Sequence, residues 1–254
     1  RTLRLAPPVM LTRIRSLAFA AFLVFFVGFI GFFCLPAALF GRRAAQATVK
    51  SWSKTGLGWL KLITGMSYRI EGAENIPRGG AIVAANHQSM WETIALVALL
   101  PRPVISLKKE LMWVPVYGWW AYLAGHIPID RKGGAKALRA FTRTAKERIE
   151  EGNQIIVFPE GTRVKPGKTA RFLPGVAGIY AATNAPCIPA AHDSGRFWIH
   201  PGIERRPGVV TLRFLPPIEP GLDRKSFQAE LKAQLDGARP DLEPANIADE
   251  RDHD

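Results

Sequence analysis

Cysteine is nearly absent from this 254-residue chain: Cys34 and Cys187 are the only two, and they form no spacing pattern. That excludes a disulfide framework and a cysteine-based zinc site, and it fits a reducing, cytoplasm-facing catalytic domain. The five histidines make no ligand-spaced pair, so no metal is expected. No G-x-S-x-G elbow occurs, which disfavours a serine hydrolase. Acidic residues are missing altogether from residues 1 to 65, which carry nine arginines and lysines. The whole chain has a formal charge of +13, so only +4 is left for everything that follows. The basic excess thus sits beside the most apolar part of the chain. That pairing suits anionic lipid headgroups better than nucleic acid, and no nucleic-acid recognition motif appears.

What is present begins with Ser16 to Phe40, twenty-five residues without a charge. Even stopping before Pro36, the stretch from Ser16 would span roughly 30 Å as a helix, enough for a hydrocarbon core. It is too long for a signal peptide and lacks a small-residue cleavage site, so it reads as a membrane anchor. Arg13 and Arg15 compete with Arg42 and Arg43 for the inside, which leaves its orientation open. Residues 48 to 65 mix Trp52, Trp59 and Leu60 with three lysines, as a segment in the bilayer interface would. Gly56 and Gly58 inside it weaken a helix, and an ordinary packing helix is the other reading.

From residue 67 the pattern alternates. Strands are expected at Tyr68–Glu71, Ala81–Ala85, Val104–Leu107, Ile127–Asp130, Ile155–Phe158, Cys187–Ala191 and Val209–Leu215. Helices are expected at Ser89–Leu100, Pro115–Ala124, Ala135–Glu151, Val176–Asn184 and Ser226–Leu235. This predicts an α/β fold: a mixed, largely parallel central sheet covered by helices, preceded by an N-terminal membrane-anchoring helical segment. The expected division is 1–66 for the anchoring and interfacial segment, 67–236 for the catalytic domain, and 237–254 for an acidic, mobile tail.

Chemistry in open α/β sheets gathers at the carboxyl ends of strands, and two unusual loops follow strands directly. In "AANHQSMWET", residues 84 to 93, His87 and Glu92 stand five apart. A neutral imidazole is a good general base, and a carboxylate on its other nitrogen fixes the tautomer. On one continuous helix the two would lie about 140° apart, so the pairing needs His87 outside the helix. Ser89 to Glu92 also matches the S-x-x-E capping box, in which Glu92 serves the Ser89 backbone instead. In "FPEGTR", residues 158 to 163, Gly161 permits an unusual backbone angle and Arg163 can grip a phosphate through two parallel N–H bonds. Glu160 could hold that guanidinium or bind a substrate hydroxyl; a plain surface turn fits the composition equally well. Lys108 and Lys109, and Arg131 in "HIPIDR", bring further cations to strand ends, which together favour an anionic substrate, while for any one of them a solvated basic surface is the default reading.

Four blocks in order resemble the glycerolphosphate acyltransferase family, and within it the 1-acylglycerol-3-phosphate acyltransferases. Asn86-His87 with Glu92 is similar to the family's N-H-x4-D/E block, and Ile129-Asp130-Arg131 resembles its I-D-R block. Phe158 to Arg163 match F-P-E-G-T-R letter for letter, and Cys187 to Ala190 resemble the apolar run around a proline. The resemblance implies acyl transfer from a thioester, acyl-CoA or acyl carrier protein, to the sn-2 hydroxyl of a lysophospholipid, giving phosphatidic acid. His87 would be the base and Glu92 its orienting carboxylate. Lys108, Arg131, Glu160, Gly161, Thr162 and Arg163 would bind the acceptor. No bound cofactor and no covalent acyl-enzyme is expected. The implied location is a membrane, a bacterial inner membrane with the catalytic domain on its cytoplasmic face. The family's commoner residue at position 92 is Asp, and Glu is one methylene longer. Rival readings are another lysolipid acceptor, or a membrane lipid-binding protein without turnover.

Overall fold

The computed structural model describes residues 9–130 and 132–239. Val9–Phe25 (α1) runs through a π-helical turn, Phe26–Ile30, into Gly31–Phe33 (α2). A 3-10 turn, Leu35–Phe40, carrying Pro36 in its first turn, ends the apolar run. Arg42–Thr64 (α3) then returns along α1 and is closed by Gly65 in the left-handed conformation. Of the described residues, Val9–Phe33 is the stretch long and apolar enough to cross a membrane by length and composition. Gly56 and Gly58 do not interrupt α3, because its tertiary contacts outweigh their local cost: Leu57 and Leu60 join the main core. On its other face Trp59 and Leu62 stay exposed.

Among the described residues, seven strands form one sheet. They are Met66–Glu71 (β1), Ala81–Ala85 (β2), Pro103–Lys108 (β3), Ile127–Ile129 (β4), Gln154–Val157 (β5), Cys187–His192 (β6) and Gly208–Phe214 (β7). Their order is β1-β7-β6-β2-β5-β3-β4. Every pairing is parallel except β6 with β7. The expected fold class therefore holds. Remaining helices are Trp91–Leu99 (α4), Tyr117–Leu123 (α5), Gly134–Glu150 (α6), Gly175–Ala182 (α7) and Arg224–Ala238 (α8).

The period-two geometry of strands divides the core into two layers. From β2, Ala81, Val83 and Ala85 face one cluster with α1, α3 and α4, while Ile82 and Ala84 face the other with α6, α7 and α8. β5 alternates likewise, Ile156 on the first side and Ile155 and Val157 on the second. Helix α6 buries Phe141, Ala145 and Ile149, which recur every four residues and so lie on one face of the helix. Apart from Ala81–Ala85, the expected elements shift at one or both ends, mostly by one or two residues, and two of these shifts have a plain hydrogen-bond cause. β4 stops at Ile129 because Asp130 turns to accept from the Lys132 backbone at 3.0 Å and the Lys109 side chain at 2.6 Å. Helix α8 starts earlier than its apolar pattern because Asp223 caps it, accepting from the backbone N–H of Lys225 and Ser226. It also runs on to Ala238, and Arg239 beyond it is fully buried.

Candidate active site

The parallel strands β2, β5 and β6 lie side by side and end together, which gathers the loops after them at one edge of the sheet. Residues 86–90 leave β2 as an irregular link, and α4 begins only at Trp91. His87 is thus outside the helix. Its Nδ1 lies 2.7 Å from Glu92 Oε1. Phe158, the first residue after β5, stacks on the imidazole with ring centroids 4.2 Å apart.

Glu92 is completely buried and answers that burial with five donors. Its Oε1 accepts from the backbone N–H of Gln88 and Ser89, both at 2.8 Å, besides the His87 ring. Its Oε2 accepts from the hydroxyls of Ser89 at 2.7 Å and Ser194 at 2.8 Å. The capping contact and the histidine contact coexist on one carboxylate. Burial alone would raise the Glu92 carboxyl, but the field of His192, the His87 hydrogen bond and the Ser89 backbone outweigh it, holding Glu92 well below the usual carboxylate range. Against the pull of Glu92, burial likewise pushes His192 below its ordinary value. Its Nε2–H then donates to the Asn86 carbonyl at 2.7 Å and its Nδ1 accepts from Ser194 N–H.

With Nδ1–H committed to Glu92, the imidazole of His87 keeps Nε2 as its basic nitrogen. Its own backbone is fixed on both sides: N–H donates to Glu160 Oε2 at 2.6 Å, and C=O accepts from Val164 N–H at 2.7 Å. The loop after β5 is thereby stitched under the loop after β2. Gly161 adopts φ +66°, a left-handed conformation that favours glycine, and it packs against the side chain of Leu173.

The structure places the expected acceptor-binding residues unevenly. Glu160 points inward, to the His87 backbone and toward buried Arg239, whose guanidinium is 3.9 Å away, and not toward Arg163. Burial pushes the Glu160 carboxyl up to about 7, against the pull of the His87 N–H and Arg239. Arg163 reaches across the mouth, donating from Nε to the Ser89 carbonyl and from Nη1 to His200 Nδ1, each at 3.2 Å. Thr162 is exposed beside it. Lys108 stands at the end of β3, two strands from β2, and pairs with Glu110 at 3.8 Å. Arg131 lies outside the described residues. Sequence reasoning missed Ser194, His192, His200 and Arg239. The polar run His192-Asp193-Ser194 at the end of an apolar strand was the available signal for the first two.

A family profile described as Acyltransferase matches residues 67–193, half of the chain. The chain belongs to this acyltransferase family. Among curated members it is similar to a 1-acyl-sn-glycerol-3-phosphate acyltransferase of Pseudomonas aeruginosa, 32% identical over 162 residues, which is 64% of this chain and 63% of that protein. It is also similar to the alpha form of the same-named enzyme of Mus musculus, 32% identical over 163 residues, covering 62% of this chain and 57% of that one. The match thus spans less than two thirds of these relatives. In fold it resembles the crystal structure of a 1-acyl-sn-glycerophosphate (LPA) acyltransferase from Thermotoga maritima, with a TM-score of 0.76 at 22% identity, covering 92% of this chain and 98% of that one. The acyltransferase match ends at Asp193, one residue short of the serine that completes the Glu92 shell.

Proposed function

We propose that this acyltransferase-family protein transfers a fatty acyl group from a thioester, acyl-CoA or acyl carrier protein, to the sn-2 hydroxyl of 1-acylglycerol 3-phosphate, forming phosphatidic acid. The observation that carries the reading is the buried His87–Glu92 pair at 2.7 Å, at the carboxyl edge of β2. The names of its relatives supply the acceptor.

In the reaction, His87 Nε2 takes the proton of the acceptor hydroxyl as its oxygen attacks the thioester carbonyl carbon. The imidazolium that forms is stabilised by Glu92. Collapse of the tetrahedral intermediate breaks the C–S bond, and the departing sulfur takes the proton back from His87. No covalent acyl-enzyme forms and no bound cofactor or metal takes part. Arg163 meets the acceptor phosphate, exchanging its contact with His200 for phosphate oxygens. By the family resemblance, Arg131, Lys108 and Thr162 contribute to acceptor binding as well. Glu160 and Gly161 serve acceptor binding through the shape of their loop.

Lysophosphatidic acid and acyl chains partition into membranes, and α1 with α2 forms an apolar surface on which Phe25, Phe29, Phe32 and Phe33 stay exposed. We place the protein on a membrane through this segment, with the site open to the cytoplasmic side of a bacterial inner membrane, where thioester donors are made. The test is acyl transfer from labelled acyl-CoA to lysophosphatidic acid in detergent or lipid, for wild type and His87→Ala. Phosphatidic acid from the wild type alone supports the reaction and its base together. Equal product from both would make His87 structural.

A further inference from the structure

We infer that Ser194 is a positioning residue for the acyl transfer: its hydroxyl holds the Glu92 carboxylate in the orientation that aligns His87. The inference rests on the proposed reaction, and concerns a side chain beyond the span matched by the family.

Ser194 opens the 3-10 turn that follows β6 and is fully buried. Its Oγ is 2.8 Å from Glu92 Oε2 and 2.8 Å from Ser89 Oγ. Each serine hydroxyl has one proton to give. The carboxylate is the stronger acceptor, so both protons go to Oε2. Oε1 is occupied by three N–H donors, so the carboxylate is gripped at both oxygens and cannot rotate about its Cγ–Cδ bond. Rotation would take the oxygen away from Nδ1 and free the imidazole to turn with it.

The strip carrying Ser194 is clipped to the histidine loop. Asn86 Nδ2 donates to the His192 carbonyl and His192 N–H donates to Asn86 Oδ1, both at 2.9 Å. His192 Nε2–H donates to the Asn86 carbonyl, and Gly195 N–H to Gln88 Oε1 at 2.9 Å. A Cβ on residue 195 would lie 2.9 Å from Gln88 Cβ, so the two strips also touch sterically. Four hydrogen bonds and one close approach thus deliver a single hydroxyl to the buried carboxylate. Ser89 alone would leave Oε2 with one donor, from the carboxylate's own loop, and nothing tying it to the neighbouring strand.

The experiment compares wild type with Ser194→Ala and Ser194→Cys, the latter matching serine in shape with only a weak donor. The full chain, in detergent micelles and labelled with 15N-histidine, is read by kinetics and by the proton resonance of the His87 Nδ1–H, assigned with His87→Ala. Loss of one hydrogen bond to a charged group predicts a fall in kcat of about tenfold to a hundredfold, with KM for lysophosphatidic acid little changed. The Nδ1–H resonance should shift or broaden in both variants. Should the alanine protein not fold, the cysteine protein gives the same readings. Wild-type kcat with an unmoved resonance overturns the inference, as does a kcat loss with an unmoved resonance, which would make position 194 a packing site. The resonance does not depend on which lipid is the substrate. A moved resonance in a protein whose wild type makes no phosphatidic acid would therefore sink the substrate assignment and leave the role of Ser194 standing.

Discussion

Replacing Glu92 by Gln removes one charge and almost no volume. The amide oxygen can take the place of Oε1 and keep its three N–H donors, His87 Nδ1 among them. The amide nitrogen then sits where Oε2 was, and the hydroxyls of Ser89 and Ser194 reverse to accept from it. The fold and the histidine tautomer survive, and what is lost is the attraction between the carboxylate and the imidazolium formed during transfer. With charge centres about 4 Å apart and an effective dielectric of about 20, that attraction is about 4 kcal/mol, or about three decades in rate. We expect kcat for phosphatidic acid formation to fall roughly a thousandfold. KM for both substrates should hold, and the thermal midpoint should stay near the wild-type value. The assay is steady-state acyl transfer alongside thermal unfolding in the same detergent. A Glu92→Gln protein that is folded and within threefold of wild-type kcat refutes the reasoning, and would leave Glu92 with its capping role alone.

Two further outcomes follow from the neighbouring groups. Burial raises the Glu160 carboxyl from its ordinary 4.5 to about 7, so between those values the folded state holds a proton that the unfolded state has released. Its contribution is fully present below the unfolded value and lost as pH rises through about 7, costing up to about 3 kcal/mol. In Glu160→Gln, the difference in unfolding midpoint between pH 5 and pH 8 should shrink by a corresponding amount; an unchanged difference would mean that Glu160 is ionised throughout. Arg163→Ala should raise KM for lysophosphatidic acid by about tenfold to a hundredfold, the worth of charge-assisted bonds to a phosphate, with a smaller change in kcat. Steady-state kinetics with varied acceptor check this, and an effect confined to kcat would remove Arg163 from acceptor binding.

Much of the architecture was legible because burial on both faces leaves a plain mark. Ala81–Ala85 is apolar throughout and bounded by Gly80 and Asn86, and the strand has those same ends. The alternation of such runs with amphipathic stripes like that of α6 indicated a layered α/β sheet. The boundary at β4 and the start of α8 were harder to see, because Asp130 and Asp223 act through turn and cap hydrogen bonds that hydrophobic periodicity does not record. Residues 48 to 65 were ambiguous for another reason. The glycines lower local helix propensity, and only the seating of Leu57 and Leu60 against the sheet overrides it.

The site divides in the same way. Sequence by itself determined the local parts: a histidine and a carboxylate five residues apart after a buried strand, and a glycine turn bearing an arginine after another. These depend on strand ends and turn chemistry, which lie within a few residues of one another. Tertiary structure alone decided that β6 lies beside β2, and hence that Ser194 and His192 stand against Glu92 and Asn86 more than a hundred positions away. It also decided that Glu160 faces the His87 backbone and buried Arg239 rather than Arg163. Strand order and the direction of a buried side chain are set by packing of the whole sheet and its helices, and no window of sequence contains that.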